Sequence, residues 1–222
     1  METTKKAKKK SSPVSVEQTI LQAYREFVLT EGKRPASVFS FTKANGMQEE
    51  DFYSFFGSFE ALESSIWQGY IGSVKERLAN DPTYASYSVR EKILAFYFTL
   101  AEVLKNDRSF VIQQLKEIKK LGLAPSFIKG FKKSFEDWIN PILMEGKQTG
   151  EIAMRPFLDT KYDSVFWLHL MFVLQFWSKD ESANFEKTDV AIEKSVNLAL
   201  DLLGKGVLDN ALDFGKFLYQ NR

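Results

Sequence analysis

Few residues in this 222-residue chain are equipped for chemistry. Lys5, Lys6, Lys8, Lys9 and Lys10 crowd its start and offer ammonium groups to phosphates or to anionic lipid headgroups. Glu49, Glu50 and Asp51 stand in a row and offer the opposite charge. His169 is the single histidine, and no other side chain titrates near neutrality without help. The absence of cysteine excludes disulfides, thiol chemistry and thiolate metal sites. No phosphate loop, dinucleotide fingerprint or metal-ligand spacing occurs, and no Ser-His-Asp set suggests itself. No catalytic residue, metal or cofactor is therefore expected, and an enzyme is the weakest reading.

Position decides what the charged groups can do. From Ala36 to Leu62 the chain reads as two short helices and the start of a third. Ser37 can cap a helix carrying Val38, Phe41 and Ala44, which stops at Asn45-Gly46, where glycine supplies the left-handed exit. A second helix follows, with Met47, Phe52, Phe55 and Phe56 apolar around Gln48 to Asp51. Gly57 breaks it and Ser58 caps the next. Helix, glycine turn, helix is the helix-turn-helix pattern, whose second helix enters a DNA major groove. Upstream, Ser15-x-x-Gln18 forms a capping box for a helix to Gly32, with Ile20, Ala23, Tyr24, Phe27 and Val28 on its inner stripe.

These residues resemble the TetR family of bacterial transcriptional regulators. Gly46, Tyr53, Phe56, Gly57-Ser58, Glu60 and Leu62 stand in that family's order and spacing, and Ile20, Ala23, Phe27 and Gly32 match its first helix. The resemblance covers the N-terminal third. It implies an all-α fold in which a three-helix DNA-binding domain precedes a larger antiparallel helical domain for ligand binding and dimerisation. The implied division is a basic tail over 1–12, a helix-turn-helix domain over 13–58 and a helical domain over 59–222. Lys8, Lys9, Lys10, Lys43, Gln48, Tyr53 and Ser54 are then the candidate DNA contacts.

Two features depart from the family. The recognition helix opens on Glu49-Glu50-Asp51, which repel phosphates although they suit a helix N-terminus. Phe59 stands where a lysine is usual. Between residues 13 and 58, four basic residues (Arg25, Lys33, Arg34, Lys43) face six acidic ones (Glu17, Glu26, Glu31, Glu49, Glu50, Asp51), leaving net −2. Only the lysine tail makes this end basic. An alternative function follows, in which the helix-turn-helix no longer binds DNA and the protein carries a lipid or small apolar molecule.

The remaining sequence predicts a run of amphipathic helices. One extends from Ser58 to about Leu78, and Ser88-x-x-Glu91 boxes the next through Leu104. Asp107 caps a third that Gly122 stops, and Pro125 suits the first turn of a fourth. Pro141 predicts a kink or break after Asn140, and residues 145–152 read as an exit turn. Val165 to Trp177 is apolar nearly all round and too short for a bilayer's roughly 20 residues, so it should be buried or at an interface. His169 within it reads as a hydrogen-bonded core or interface histidine. Thr188 or Asp189 restarts a helix, and an amphipathic segment, 207–219, ends the chain. With no apolar leader, a cytoplasmic protein is expected. By the family resemblance, Phe96, Phe110, Phe127, Phe131, Trp138 and Phe172 line a pocket for an apolar or lipid ligand. By the same resemblance, Trp167, Leu170, Leu174, Trp177, Ile192, Val196 and Leu200 form a homodimer interface.

Overall fold

Ser15 opens the first helix. Its hydroxyl accepts from the Gln18 amide at 3.2 Å while the Gln18 side chain accepts from the Ser15 N–H at 3.4 Å. The computed structural model describes residues 15–121, 126–155 and 158–221. Lys8, Lys9, Lys10, Gly122 and Pro125 lie outside them. Helix α1 runs Val16–Glu31 and ends as Gly32 turns left-handed, at φ 67°. Helix α2, Val38–Ala44, starts where the Ser37 hydroxyl accepts from the Ser40 amide. Gly46, at φ 68°, makes the turn into α3, Glu49–Tyr53. Ser58 then caps α4, Phe59–Ala79, by accepting from the Ala61 N–H at 3.2 Å.

The chain divides into two compact units, residues up to Leu62 and residues from Glu63 onward. Aromatic rings hold the first. Phe41 meets Tyr24, Phe52 and Phe59 edge-on at 5.6 to 6.2 Å, and Phe59 stacks on Tyr24 at 5.5 Å. Phe59 is therefore a core residue, and burying a ring of that size is worth about 1.5–3 kcal/mol. The departure from lysine exchanges a possible phosphate contact for core packing.

The second unit contains α5 (Val89–Lys105), α6 (Arg108–Leu121), α7 (Ser126–Thr149), α8 (Tyr162–Lys179), α9 (Glu186–Leu203) and α10 (Val207–Gln220). Helix α5 packs on α7 and α9, α8 packs on the same two, and α10 lies on α9. The Ser88–Glu91 box caps α5 as its sequence predicts. Among the described residues the protein has no strand, so the fold is all-α.

Three details differ from expectation. Helix α7 continues through Pro141, which is exposed, so the carbonyl left without an amide partner can turn to water. The exit comes at Gly150, left-handed at φ 83°, while Gly146 stays helical beneath the Ile152 side chain. Helix α9 starts at Glu186, ahead of Thr188, because its cap comes from upstream: the buried Asp180 carboxylate accepts from the amides and hydroxyls of both Ser182 and Thr188 at 2.6 to 2.8 Å. Desolvation opposes that charge, but the four hydrogen bonds outweigh it and hold the carboxyl well below the usual carboxylate range.

Candidate functional site

The helix-turn-helix exposes a small, mixed surface. A hollow of about 480 Å³ lies between α2 and α3, lined by Phe39, Thr42, Lys43, Gly46, Met47, Gln48, Glu49 and Glu50. Lys43 is exposed, with its ammonium 5.6 Å from the centre of the Phe39 ring. At Gln48 the backbone amide is spent locally, donating to the Asp51 carboxylate at 2.9 Å. Tyr53 projects from α3 with 54% of its surface exposed. The Ser54 hydroxyl donates back to the Glu50 carbonyl at 2.8 Å, which leaves it only as an acceptor toward a ligand. Arg34 is turned away from this surface and pairs with Glu60 on α4.

In the second unit the expected pocket residues separate into two groups. Phe96, Phe127, Phe131 and Trp138 are buried and joined through other rings. Phe96 stacks on Trp138 at 3.8 Å, while Phe127 and Phe131 both meet Trp67 on α4, at 5.4 and 5.0 Å. Phe110 is buried on α6. Phe172 is not with them: it lies half exposed on α8, next to Phe176 at 6.3 Å.

Polar groups lie beside the rings, and of them the sequence singles out only Asp107, as a helix cap. Glu63 and Gln114 are buried and hydrogen-bonded at 3.4 Å, and Tyr70 donates to Asp107 at 3.0 Å. These pairs run in opposite senses along α4 and α6, so the two helices are antiparallel there. Trp67 lies between Glu63 and Tyr70 on the same face of α4, and its buried indole N–H has no partner among the described residues. Such an orphan donor costs about 1–3 kcal/mol unless something accepts from it. Helix α7 comes close at Gly130, where a Cβ would stand 2.3 Å from the Ser64 hydroxyl. A glutamate and a glutamine falling on otherwise apolar stripes are the available signal.

His169 joins three helices. Its Nδ1 is 2.8 Å from the Tyr97 hydroxyl on α5 and its Nε2 is 2.8 Å from Ser195 Oγ on α9. The Ser–His spacing resembles a nucleophile and its base, but a tyrosine occupies the place of the orienting carboxylate. Burial also pushes the imidazole pKa down to about 4, making it a poor base at neutral pH. The arrangement is an interhelical tie. Its linkage to pH has a definite sign: the folded pKa lies below the unfolded 6.5, so the contribution is complete above pH 6.5 and is lost on falling through about 4. Unfolding free energy should drop by up to about 3 kcal/mol across that window, at 1.36 kcal/mol per pKa unit. Urea titrations at fixed protein concentration should show this drop shrinking in His169→Gln; equal drops in both proteins would refute the assignment.

The C-terminal helices also identify the chain's relations. Residues 92–218 match the family model for the tetracyclin repressor-like C-terminal domain. The chain belongs to the TetR family. No curated protein sequence matches it. Solved structures match over most of their length. A TetR-family protein from Syntrophomonas wolfei is 14% identical with a TM-score of 0.69, covering 86% of this chain and 98% of its own. The fatty acid degradation regulator FadR from Bacillus halodurans is 20% identical with a TM-score of 0.60, over 90% and 98%. The transcriptional regulator FadR from Bacillus subtilis, in complex with stearoyl-CoA, is 21% identical with a TM-score of 0.57, over 85% and 97%.

The residues expected at a dimer interface take two positions in this TetR fold. Leu170, Leu174 and Trp177 on α8, and Ile192, Val196 and Leu200 on α9, are buried within the protomer itself. Trp167 is partly buried and faces Phe131 and Phe135 on α7. The outward apolar residues are Val165, Leu168, Phe172 and Phe176 on α8 and Val190, Leu198 and Leu202 on α9.

Proposed function

We propose that this TetR-family chain is a homodimeric, ligand-responsive regulator of transcription. Two copies join through the outward apolar faces of α8 and α9, since the exposed apolar side chains on these two adjacent helices are what an interface would cover. Each copy's helix-turn-helix binds DNA through Tyr53, Lys43 and the lysine tail. A ligand in the C-terminal unit shifts the population between DNA-competent and incompetent spacings of the two copies' helix-turn-helices. The observation carrying this reading is the intact turn: Ser37 cap, left-handed Gly46 and the exposed Tyr53 on α3.

Fluorescence anisotropy with genomic DNA fragments over a salt series tests it. Selective binding should survive removal of residues 1–12. The log–log salt slope should flatten by about 0.9 for each phosphate that the deleted lysines neutralise. Weak, unselective binding that vanishes with the tail would instead favour the second reading, an accessory protein that binds a lipid-like molecule and not DNA. Glu49 and Glu50, exposed at the leading end of α3, are the observation on that side.

For the ligand, the region between α4, α6 and α7 is the proposed site. Phe127, Phe131 and Trp67 supply apolar walls, and the unpartnered Trp67 N–H with Gln114 supplies polar contacts. An elongated apolar molecule with a hydrogen-bond acceptor fits that chemistry, in the class of the stearoyl-CoA held by the Bacillus subtilis neighbour. Stearoyl-CoA at about 100 times its Kd should add about 2.7 kcal/mol to stability and raise Tm. Trp67→Phe should cut that gain; an undiminished gain in the variant would place the ligand elsewhere.

A further inference from the structure

Every residue from Asp213 to Asn221 is exposed, so among the described residues nothing covers the last two turns of α10. These turns carry an apolar stripe. Phe214, Phe217 and Leu218, spaced three and four apart, are 63%, 58% and 51% exposed, and Tyr219 beside them is 81% exposed. Asp213 and Lys216 lie off the stripe and pair with each other at 3.5 Å. Such a segment does not hold its shape unaided: isolated helices shorter than about 12–15 residues are marginal in water, and an interior glycine, here Gly215, weakens them further. The start of α10 is pinned, since Arg155 bonds Asp209 and the Leu203 and Gly204 carbonyls that end α9. Its far end needs an apolar surface to pack on.

We propose that α10 is an arm that lays Phe214, Phe217 and Leu218 on a second copy of this chain, adding a third helix to the contact made by α8 and α9. The proposal rests on the homodimer reading and extends it. Area favours this occupant. Three rings of about 200 Å² each, exposed to the degree given for Phe214, Phe217 and Tyr219, leave roughly 400 Å² in water. That is about half of the roughly 800 Å² that one partner brings to a stable interface, and the outward residues of α8 and α9 supply further area. Connection favours it too: a three-residue link joins α10 to α9 just beyond Leu198 and Leu202, so the arm departs from the end of a helix that the second copy contacts. Charge is the third argument. Between 213 and 221 the charged residues are Asp213 and Lys216, which cancel, so two copies meet without net repulsion and an anionic surface finds no basic patch to hold.

Glutamine is a better helix former than phenylalanine and close to leucine, so Phe214→Gln/Phe217→Gln/Leu218→Gln removes the stripe without weakening the helix. All three side chains are exposed, so the full-length variant keeps its core. In sedimentation equilibrium its dimer should dissociate at concentrations at least about a hundredfold above the parent's. In hydrogen exchange the amides of 213–220 should be protected in the parent dimer and lose that protection on dilution to monomer. The variant should show no protection there at any concentration. A parent that dimerises, with a variant that dimerises equally well, would overturn the arm and leave the α8–α9 dimer standing; a parent that stays monomeric would remove both. Flotation with vesicles of phosphatidylcholine and phosphatidylglycerol tests the other occupant. Vesicle binding that the variant loses, with its dimer intact, would give the stripe to a lipid surface and overturn the proposal.

Discussion

Leu168→Glu will leave a folded protein that no longer dimerises, whereas Leu170→Glu will not fold. The two leucines are two positions apart on α8, about 200° around the helix axis. Leu168 is 69% exposed and belongs to the outward apolar face; Leu170 is fully buried. A carboxylate at 168 remains hydrated in the monomer, so it costs little there. In a two-fold dimer the same patch meets itself, and both copies bring the charge into the contact. Removing two buried leucine side chains at about 1.5–3 kcal/mol each weakens association by at least about a hundredfold, at 1.4 kcal/mol per factor of ten. At position 170 an unpaired buried charge costs several kcal/mol, comparable with the roughly 5–15 kcal/mol that holds a domain together. Sedimentation equilibrium and circular dichroism separate these outcomes. A monomeric parent protein, or a Leu168→Glu protein that still dimerises, would remove α8 from the interface.

That pair of leucines also shows where the sequence stops being legible. The helix-turn-helix can be read because its signals are local: Ser37, Gly46 and Ser58 act on amides or dihedrals within a few residues of themselves. In Val165 to Trp177 the apolar side chains go almost all the way round, so no periodicity marks which side faces the protomer and which faces outward. The residues expected at the interface are those the protomer buries, and Phe172, expected in the pocket, is on the outward face. The Asp180 cap is hidden for another reason. It bonds Thr188 across eight residues, through an intervening turn in which Asn184 and Phe185 are left-handed, and no capping pattern spans that distance. Phe59 is visible in the sequence only as an exception; its meaning comes from the four-ring cluster that it completes.

Arg155→Met will lower Tm by roughly 6–20 °C and release the last helix. Arg155 is 4% exposed and its guanidinium is fully engaged. It donates to both Asp209 oxygens on α10 at 2.7 and 3.1 Å, and to the Leu203 and Gly204 carbonyls at the end of α9 at 3.0 and 2.7 Å. It also donates to the Tyr162 hydroxyl at 3.2 Å at the start of α8. One side chain therefore joins three helix ends to the segment after α7, and the Ala153 amide adds a bond to the same Leu203 carbonyl. The hydrogen bonds from Arg155, and then the Gly206 amide, hold the Asp209 carboxyl below its ordinary range. Methionine fills much of the volume but removes the two bonds from a charged donor to the Leu203 and Gly204 carbonyls, a loss of about 3–5 kcal/mol together; the half-exposed Asp209 carboxylate can turn to water. For a chain of this size each kcal/mol corresponds to about 2–4 °C. Asp209→Asn should cost less, because Asp209 is more exposed and the carbonyl bonds persist. Trypsin offers a local check at Lys205, in the Gly204-Lys205-Gly206 junction that the guanidinium pins: cleavage there should accelerate in Arg155→Met before global unfolding sets in. A variant that melts like the parent and resists trypsin equally would mean that α10 is held by its apolar contacts alone.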